Sequence, residues 1–184
     1  MRLVFLCEEP SMKYFLDGFL PRLLPKDIDF ITIKHDGKSD LEKSIPVKLQ
    51  GWNEPDVRFF ILQDQDSNDC HTLKDALVEL VRPYNRDVVV RIVCHELESW
   101  YLGDLKSLDI SYGCNLAHLQ NKRKFRDPDH LGSPKAELRK MVPRHQQISG
   151  AQLLGPIIDI ENNTSVSFHF FVEAVQKVCK EIGL

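Results

Sequence analysis

The chain has 184 residues, of which 42% are hydrophobic and 28% are charged, and this size and composition favour one globular domain over residues 1–184. No stretch contains the roughly 18 apolar residues that a membrane span requires, and the apolar start of the chain is too short for a signal peptide. Five scattered cysteines without a Cys-x-x-Cys pair argue against a disulfide framework, so we expect a cytoplasmic protein with no membrane partner.

The net charge of −3 conceals an uneven distribution of charged residues. Residues 105–150 contain nine Lys and Arg against four Asp and Glu, a balance of +5, which leaves −8 for the rest of the chain. An acidic body with a basic segment suits a metal site that attracts a polyanion. A solvated basic surface without a binding role explains the same composition equally well.

Apolar runs alternate with helical patterns over the first hundred residues. The first helix follows Pro10, and Pro21 and Pro25 are expected to mark its end. The second helix is predicted to begin with Ser39 at its N-cap and Glu42 three residues later, as in a capping box. The predicted strands are residues 3–7, 28–33, 57–62 and 88–93, with further helical patterns ending near residue 51, over 73–81 and over 96–102.

The order of these elements predicts a fold class. Strands that are apolar throughout and separated by helices are typical of a parallel sheet covered on both faces. We therefore expect a Rossmann-like, three-layer α/β core over about residues 1–104, with a mainly parallel central sheet. A basic segment of short helices and loops is predicted for about 105–150. An amphipathic helix is predicted for about 165–183, with Ile182 on its apolar face.

Acidic residues follow three of the four predicted strands. The carboxyl ends of parallel strands meet at one edge of a sheet, so we expect these side chains to converge there. Carboxylates that lie close together repel one another unless a cation offsets their charge, and oxygen ligands suit Mg²⁺ or Mn²⁺. The expected metal ligands are Glu8, Asp64, Asp66, Glu98 and Glu96.

Each acid also has a structural interpretation. Glu9 is interpreted as a complement to the dipole of the first helix, and Asp69 as a helix N-cap. Glu96 and Glu98 are almost equally good candidates for the metal site. For Asp64 and Asp66 the metal-binding role is favoured, because few structural roles require two acids at the end of a buried strand.

The runs that contain these acids resemble a known family. They are residues 7–12, 35–41, 64–66 and 96–102, with 127–129 and 133–135 as further marks. The sequence resembles the DUF4276 family and, through it, the Toprim (topoisomerase–primase) superfamily over nearly the whole chain. Toprim domains hold Mg²⁺ with a glutamate after the first strand and an Asp-x-Asp pair after a later one. The resemblance implies these roles for Glu8 and for Asp64 with Asp66.

The same resemblance implies a Toprim-type fold and a function. Compact proteins of this kind resemble the nuclease branch of the superfamily, which includes the nuclease parts of OLD-type phage-defence systems. Members of that branch often act beside an ATPase, so an ATPase partner is implied here. Toprim proteins often have glycine after the first-strand glutamate, whereas this chain has Glu9, which leaves the size of the substrate open.

Several basic and aromatic residues are weaker candidates. Lys135 and the cluster Lys122, Arg123 and Lys124 are predicted to contact substrate phosphates, although a solvated surface is equally plausible. Trp100 and Tyr101 are considered for stacking on bases, with apolar packing favoured at least for the tryptophan.

The leading hypothesis is a Mg²⁺-dependent nuclease that cuts DNA or RNA. Its catalytic residues are expected to be Glu8, Asp64 and Asp66, with Glu8 as general base. A second hypothesis is a receiver-like signalling module phosphorylated at Asp64, although the lysine that receivers need after a fifth strand is not found. A third is a non-catalytic subunit of an ATPase complex.

Overall fold

A computed structural model describes residues 1–181 as a mixed α/β fold. Four strands and three long helices alternate over the first half of the chain, and shorter helices follow. The strands are β1 (Arg2–Cys7), β2 (Asp29–Lys34), β3 (Val57–Asp64) and β4 (Val88–Val93). The helices are α1 (Pro10–Leu23), α2 (Lys38–Gly51), α3 (Cys70–Val81), α4 (Glu98–Leu102), α5 (Leu105–Tyr112), α6 (Pro134–Met141), α7 (Gln147–Leu154) and α8 (Val166–Glu181).

The four strands form one parallel sheet in the order β2-β1-β3-β4. Side chains alternate between its two faces, and each face is covered. Leu3 and Phe5 of β1 face a large core shared with α1, α4 and α8, whereas Val4 and Leu6 face a smaller core shared with α2 and α3. The predicted three-layer α/β architecture is confirmed.

Two predicted helix boundaries differ from the structure. Pro21 lies inside α1, which ends at Leu23, where Leu24 donates its N–H to the Leu20 carbonyl at 2.8 Å. The predicted capping box at Ser39 is wrong, because α2 begins at Lys38 with Gly37 as its N-cap. Gly37 has φ = +95°, a conformation that favours glycine.

A network of buried polar side chains attaches the appended segment to the core. Asp129 accepts hydrogen bonds from the Ser165 hydroxyl and the Ser167 N–H, both at 2.7 Å. The Ser167 hydroxyl accepts from the indole N–H of Trp100 at 2.9 Å. These bonds connect the turn before α6 and the start of α8 to α4. The predicted short helices and loops of this segment are confirmed, and Ile182 lies outside the described residues.

No helix within residues 1–181 combines the length and the apolar character needed to cross a membrane. The five cysteines all lie within these residues, and each is free. The cytoplasmic location stays a prediction.

Candidate metal centre

Glu8 and Asp64 lie next to each other at the carboxyl edge of the sheet. β1 and β3 are hydrogen-bonded neighbours, and the register pairs Cys7 with Leu62, so the residues that follow them emerge side by side. The Glu8 carboxylate accepts a hydrogen bond from the Asp64 N–H at 2.9 Å. Only 9% of Glu8 and 6% of Asp64 are exposed. The glutamate that follows β1 and the aspartate that ends β3 are therefore buried next to each other.

Glu98 adds a third buried carboxylate. It is the first residue of α4, which follows β4, and only 3% of it is exposed. Within residues 1–181, its Oε2 atom and the Oδ1 atom of Asp64 are buried without a hydrogen-bond partner. A buried oxygen without a partner costs free energy, and a buried carboxylate costs more than a neutral group. Such an arrangement is expected where a cation belongs.

The pKa values of these acids show that their charges oppose one another. Burial is the largest cause of the rise in the pKa of Asp64 well above its ordinary value, and the charges of Glu9, Glu8 and Glu98 raise it further. Burial also raises the pKa of Glu8 to about 7 and that of Glu98 to about 7. The same burial and repulsion that oppose ionisation would favour a bound cation.

Asp66 and Glu96 lie at the rim of this cluster and already have partners. Asp66 has the left-handed backbone φ of +50°, and its carboxylate accepts from the Lys38 ammonium at 2.7 Å. The Glu96 carboxylate accepts a hydrogen bond from the backbone N–H of Lys135 at 2.9 Å. Of the two glutamates after β4, Glu98 is the one buried beside Asp64. Glu96 instead holds the start of α6.

The acids do not form a ready-made coordination shell. Within residues 1–181, no three His, Cys, Asp or Glu side chains already take up an arrangement that holds a metal ion. Mg²⁺ usually binds through one or two carboxylates, with waters and substrate oxygens as its other ligands. The buried, unpartnered oxygens of Asp64 and Glu98 fit that mode of binding.

Comparison with models of known protein families identifies the family of this chain. A family model described as "Domain of unknown function (DUF4276)" matches residues 7–176. The chain belongs to the DUF4276 family. No curated protein sequence matches this DUF4276 protein significantly.

Two solved structures share the fold of this DUF4276 protein. One is the C-terminal region of the Burkholderia pseudomallei OLD protein, with 16% identity, coverage of 96% of this chain and 98% of that chain, and a TM-score of 0.53. The other is the C-terminal region of the Xanthomonas campestris pv. campestris OLD protein, with 17% identity, coverage of 99% and 95%, and a TM-score of 0.50. At these identities the similarity shows the fold alone.

The predicted phosphate-binding residues of the DUF4276 protein fall into two places. Lys135 lies near the acids, and its charge lowers the pKa of Glu98. Arg123 and Lys124 line a separate surface pocket of about 640 Å³, where Lys124 pairs with Glu137 at 2.6 Å. Lys122, Arg123 and Lys124 are all exposed.

Stacking of bases on Tyr101 is excluded by its burial. The side chain of Tyr101 packs against the rings of Phe15 and His145, and only 1% of the residue is exposed. Apolar packing of Trp100 is confirmed, since its ring stacks on Phe171. The Tyr101 hydroxyl is buried without a partner in the described residues, and burial and the charge of Glu98 raise its pKa.

Sequence reasoning missed Lys38 as a member of the site. Acids that follow strands were the signal used, and Lys38 is a base at the start of α2, in the segment that follows β2 (Asp29–Lys34). Yet β2 ends at the same edge of the sheet as β1 and β3. The available signal was the place of Lys38 close behind a strand, after Gly37.

Proposed function

We propose that this protein is a metal-dependent nuclease that hydrolyses phosphodiester bonds in DNA or RNA, with Mg²⁺ or Mn²⁺ as its cofactor. One observation carries the proposal: the ends of β1, β3 and β4 place Glu8, Asp64 and Glu98 in one buried cluster that contains unpartnered carboxylate oxygens. A purely structural cluster of this kind would destabilise the fold, because the buried Oδ1 of Asp64 and Oε2 of Glu98 have no partner within residues 1–181.

Asp64 and Glu98 would hold the metal, because their free oxygens need a partner. Asp66 would join them as a ligand once its carboxylate no longer pairs with the Lys38 ammonium. Glu96 would be a ligand only if its carboxylate gave up the hydrogen bond from the backbone N–H of Lys135 at the start of α6. When bound, the metal would supply charge stabilisation for the attacking and leaving oxygens of an in-line displacement.

Glu8 would serve as the general base. Its pKa of about 7 lies close to neutral pH, where a group both accepts and releases a proton readily. The hydrogen bond from the Asp64 N–H fixes its Oε2 atom and so orients the carboxyl group. The other oxygen, Oε1, would take a proton from the attacking water. Lys135, which lies near Glu98, would stabilise negative charge on the phosphate.

The fold comparison and the sequence resemblance support the same proposal. The chain shares its fold with the C-terminal regions of two OLD proteins over nearly its whole length. Its acids match the Toprim positions for a glutamate and an Asp-x-Asp pair. A role as a phage-defence effector with an ATPase partner follows from this resemblance, and copurification with the product of a neighbouring ATPase gene would test it.

The receiver-like alternative is disfavoured by the sheet. A receiver needs a lysine at the end of a fifth strand, and the sheet formed by residues 1–181 has four strands. Incubation with acetyl phosphate followed by intact-mass measurement distinguishes the two functions. We expect no phosphoryl adduct on Asp64, and a stable adduct would replace the nuclease proposal with the receiver.

The double substitution Asp64→Asn with Asp66→Asn tests the nuclease proposal directly. We expect a loss of at least about a hundredfold in the rate of oligonucleotide cleavage with Mg²⁺ or Mn²⁺, because both oxygen-donor carboxylates are removed. Asn keeps the size of both side chains and tolerates the left-handed backbone of residue 66.

The matched control for this experiment is Asp75→Asn with Asp87→Asn, which alters two exposed acids away from the carboxyl edge of the sheet, one of them paired with Arg58 as Asp66 is with Lys38. Circular dichroism would verify that each variant is folded. Cleavage by the Asp64/Asp66 variant at the wild-type rate contradicts the nuclease proposal. It would leave the non-catalytic subunit as the better description.

A further inference from the structure

Lys38 brings a positive charge into the acidic site from the side of β2. It is the first residue of α2, and its Nζ atom lies 2.7 Å from Oδ2 of Asp66. The same charge lowers the pKa of Glu8. Gly37, which precedes it, donates its N–H to the Glu8 carbonyl at 3.0 Å and so ties the start of α2 to the end of β1. The position of Lys38 is therefore fixed by the sheet.

The sheet order places the two lysines of the site on opposite sides of the acids. Along the carboxyl edge, Lys38 opens α2 after the loop that follows β2, Glu8 follows β1, and Asp64 ends β3. After β4, Glu96 holds the backbone of Lys135. Neighbouring strands lie about 4.8 Å apart, so the ends of β2 and β4 are about 14 Å apart.

The contact between Lys38 and Asp66 is suited to exchange. The side chain of Lys38 is 27% exposed and that of Asp66 is 50% exposed. Ion pairs with this exposure are weak, and water or another anion readily replaces either partner. The ammonium has three N–H donors, of which Asp66 occupies one. If the Asp66 carboxylate binds a metal ion instead, Lys38 loses that partner. Its ammonium then faces the acidic site with its full charge.

We propose that Lys38 is a phosphate-binding residue, which holds a phosphate of the substrate strand on the β2 side of the acids. The inference rests on the proposed function, and it adds a direction to the substrate. The nucleic acid strand crosses the edge of the sheet from Lys38 to Lys135, so the substrate extends on both sides of the acids.

The salt dependence of oligonucleotide binding tests this assignment without any cleavage. A fluorescent single-stranded oligonucleotide is titrated with the full-length protein in Ca²⁺, which prefers oxygen ligands as Mg²⁺ does. Each phosphate contact on a single strand contributes about 0.7 to the slope of log affinity against log salt. We expect Lys38→Met to lower that slope by about 0.7 and the affinity at 0.1 M salt about fivefold.

Two further variants separate charge from fold. Lys38→Arg keeps the charge and should retain the wild-type slope. Lys43→Met removes a lysine that is exposed on the same helix and has no ion pair within residues 1–181, so its slope should also be unchanged. If Lys38→Met has the same slope and affinity as Lys43→Met, the assignment is overturned.

Replacement of single phosphates by uncharged methylphosphonates locates the contact. At one position in the oligonucleotide, wild type and Lys38→Met should bind equally, because the phosphate that Lys38 contacts is then neutral. A difference that persists at every modified position overturns the assignment.

A wild-type protein that binds the oligonucleotide with the predicted Lys38 contact but never cleaves it refutes the nuclease function alone. A wild-type protein that binds no oligonucleotide refutes both.

Discussion

At the scale of single residues, the site is built from carboxylates that oppose the stability of the metal-free fold. Glu98 has a pKa raised to about 7 by burial, against an ordinary value of 4.5. The folded state thus binds more protons than the unfolded state between these values, so stability falls as pH rises through this window. Above about pH 7, the folded protein carries the whole free-energy cost of keeping the ionised Glu98 buried.

Replacing Glu98 with Gln should remove this penalty. We expect Glu98→Gln to raise the free energy of unfolding of the metal-free protein by about 1–3 kcal/mol at pH 8. Below pH 4 the carboxyl group is protonated in both states, and the gain should vanish. Chemical denaturation at several pH values, in the presence of a chelator, measures the effect.

The exposed Glu42 on α2 provides the matched control for that experiment. Glu42→Gln should leave the difference in stability between pH 8 and pH 4 unchanged. A Glu98→Gln protein that is less stable than wild type at pH 8 would mean that Glu98 makes a stabilising contact, and the interpretation of its unpartnered oxygen would be wrong.

The residue scale also shows what the sequence could predict of the site. Glu8 and Asp64 were predicted to meet, and they do, because β1 and β3 are parallel neighbours whose ends coincide. The choice between Glu96 and Glu98 was left open by the sequence. It depends on where α4 begins, and the chain reaches that point through His95 at φ = +55°, a conformation that propensity rules do not anticipate.

At the scale of secondary-structure elements, Asp129 connects the appended segment to α8. Its two carboxylate oxygens accept from the Ser165 hydroxyl and the Ser167 N–H. We expect Asp129→Ala to lower the free energy of unfolding by about 2–4 kcal/mol, because two buried donors lose a charged acceptor. Urea denaturation measures this loss.

The neighbouring acid Asp127 is the control for that substitution. Its side chain is about half exposed and pairs with the more exposed His130 at 2.8 Å. Asp127→Ala should change the free energy of unfolding by less than about 1 kcal/mol. If both alanine variants lose the same stability, the network around Asp129 does not hold the segment in place.

Close packing between α1 and the end of α7 gives a second prediction at this scale. A Cβ atom on Gly155 would lie 2.3 Å from the backbone oxygen of Phe15, whereas nothing lies within 4 Å of a Cβ on Gly51. Gly155→Ala should cost about 1–3 kcal/mol by forcing the two helices apart. Gly51→Ala should be neutral or stabilise by up to about 1 kcal/mol.

Thermal or urea unfolding of both glycine variants measures the contrast. Equal stabilities would show that α1 and α7 adjust to the added methyl group at little cost. The sequence did not predict this contact, because the two elements are more than a hundred residues apart and no local pattern signals a close approach between them.

The alternation of strands and helices was predictable for a physical reason. Each strand of a covered parallel sheet is buried on both faces, so it forms an apolar run that ends abruptly in polar residues. Residues 57–62 were recognised in this way, although β3 continues to Asp64. The extension was missed because Gln63 and Asp64 are polar yet buried, and hydrophobicity alone ends the strand before them.

At the scale of the whole molecule, the charge distribution predicts how a nucleic acid would reach the site. Residues 105–150 carry a balance of +5 while the rest of the chain carries −8. A basic surface raises the rate of association with a polyanion, and salt screens that effect. Lys122, Arg123 and Lys124 are exposed within this segment, and Arg123 and Lys124 line one surface pocket.

Replacing Lys122, Arg123 and Lys124 together with Gln tests this role. We expect association with an oligonucleotide to slow by about tenfold at low salt, with little change in the rate of the chemical step under single-turnover conditions. Stopped-flow fluorescence measures the association rate. An unchanged association rate at low salt would identify the cluster as a solvated surface without a binding role.

The left-handed backbone of Asp66 has a consequence for how this family can diverge. At φ = +50°, a branched or bulky side chain is strained, whereas Asp, Asn and Gly are tolerated. Under the nuclease proposal, lineages that lose catalysis should therefore drift at this position to Asn or Gly before any other residue. An Asn here in a homologue would mark a descendant that kept the shape of the loop after its chemistry had gone.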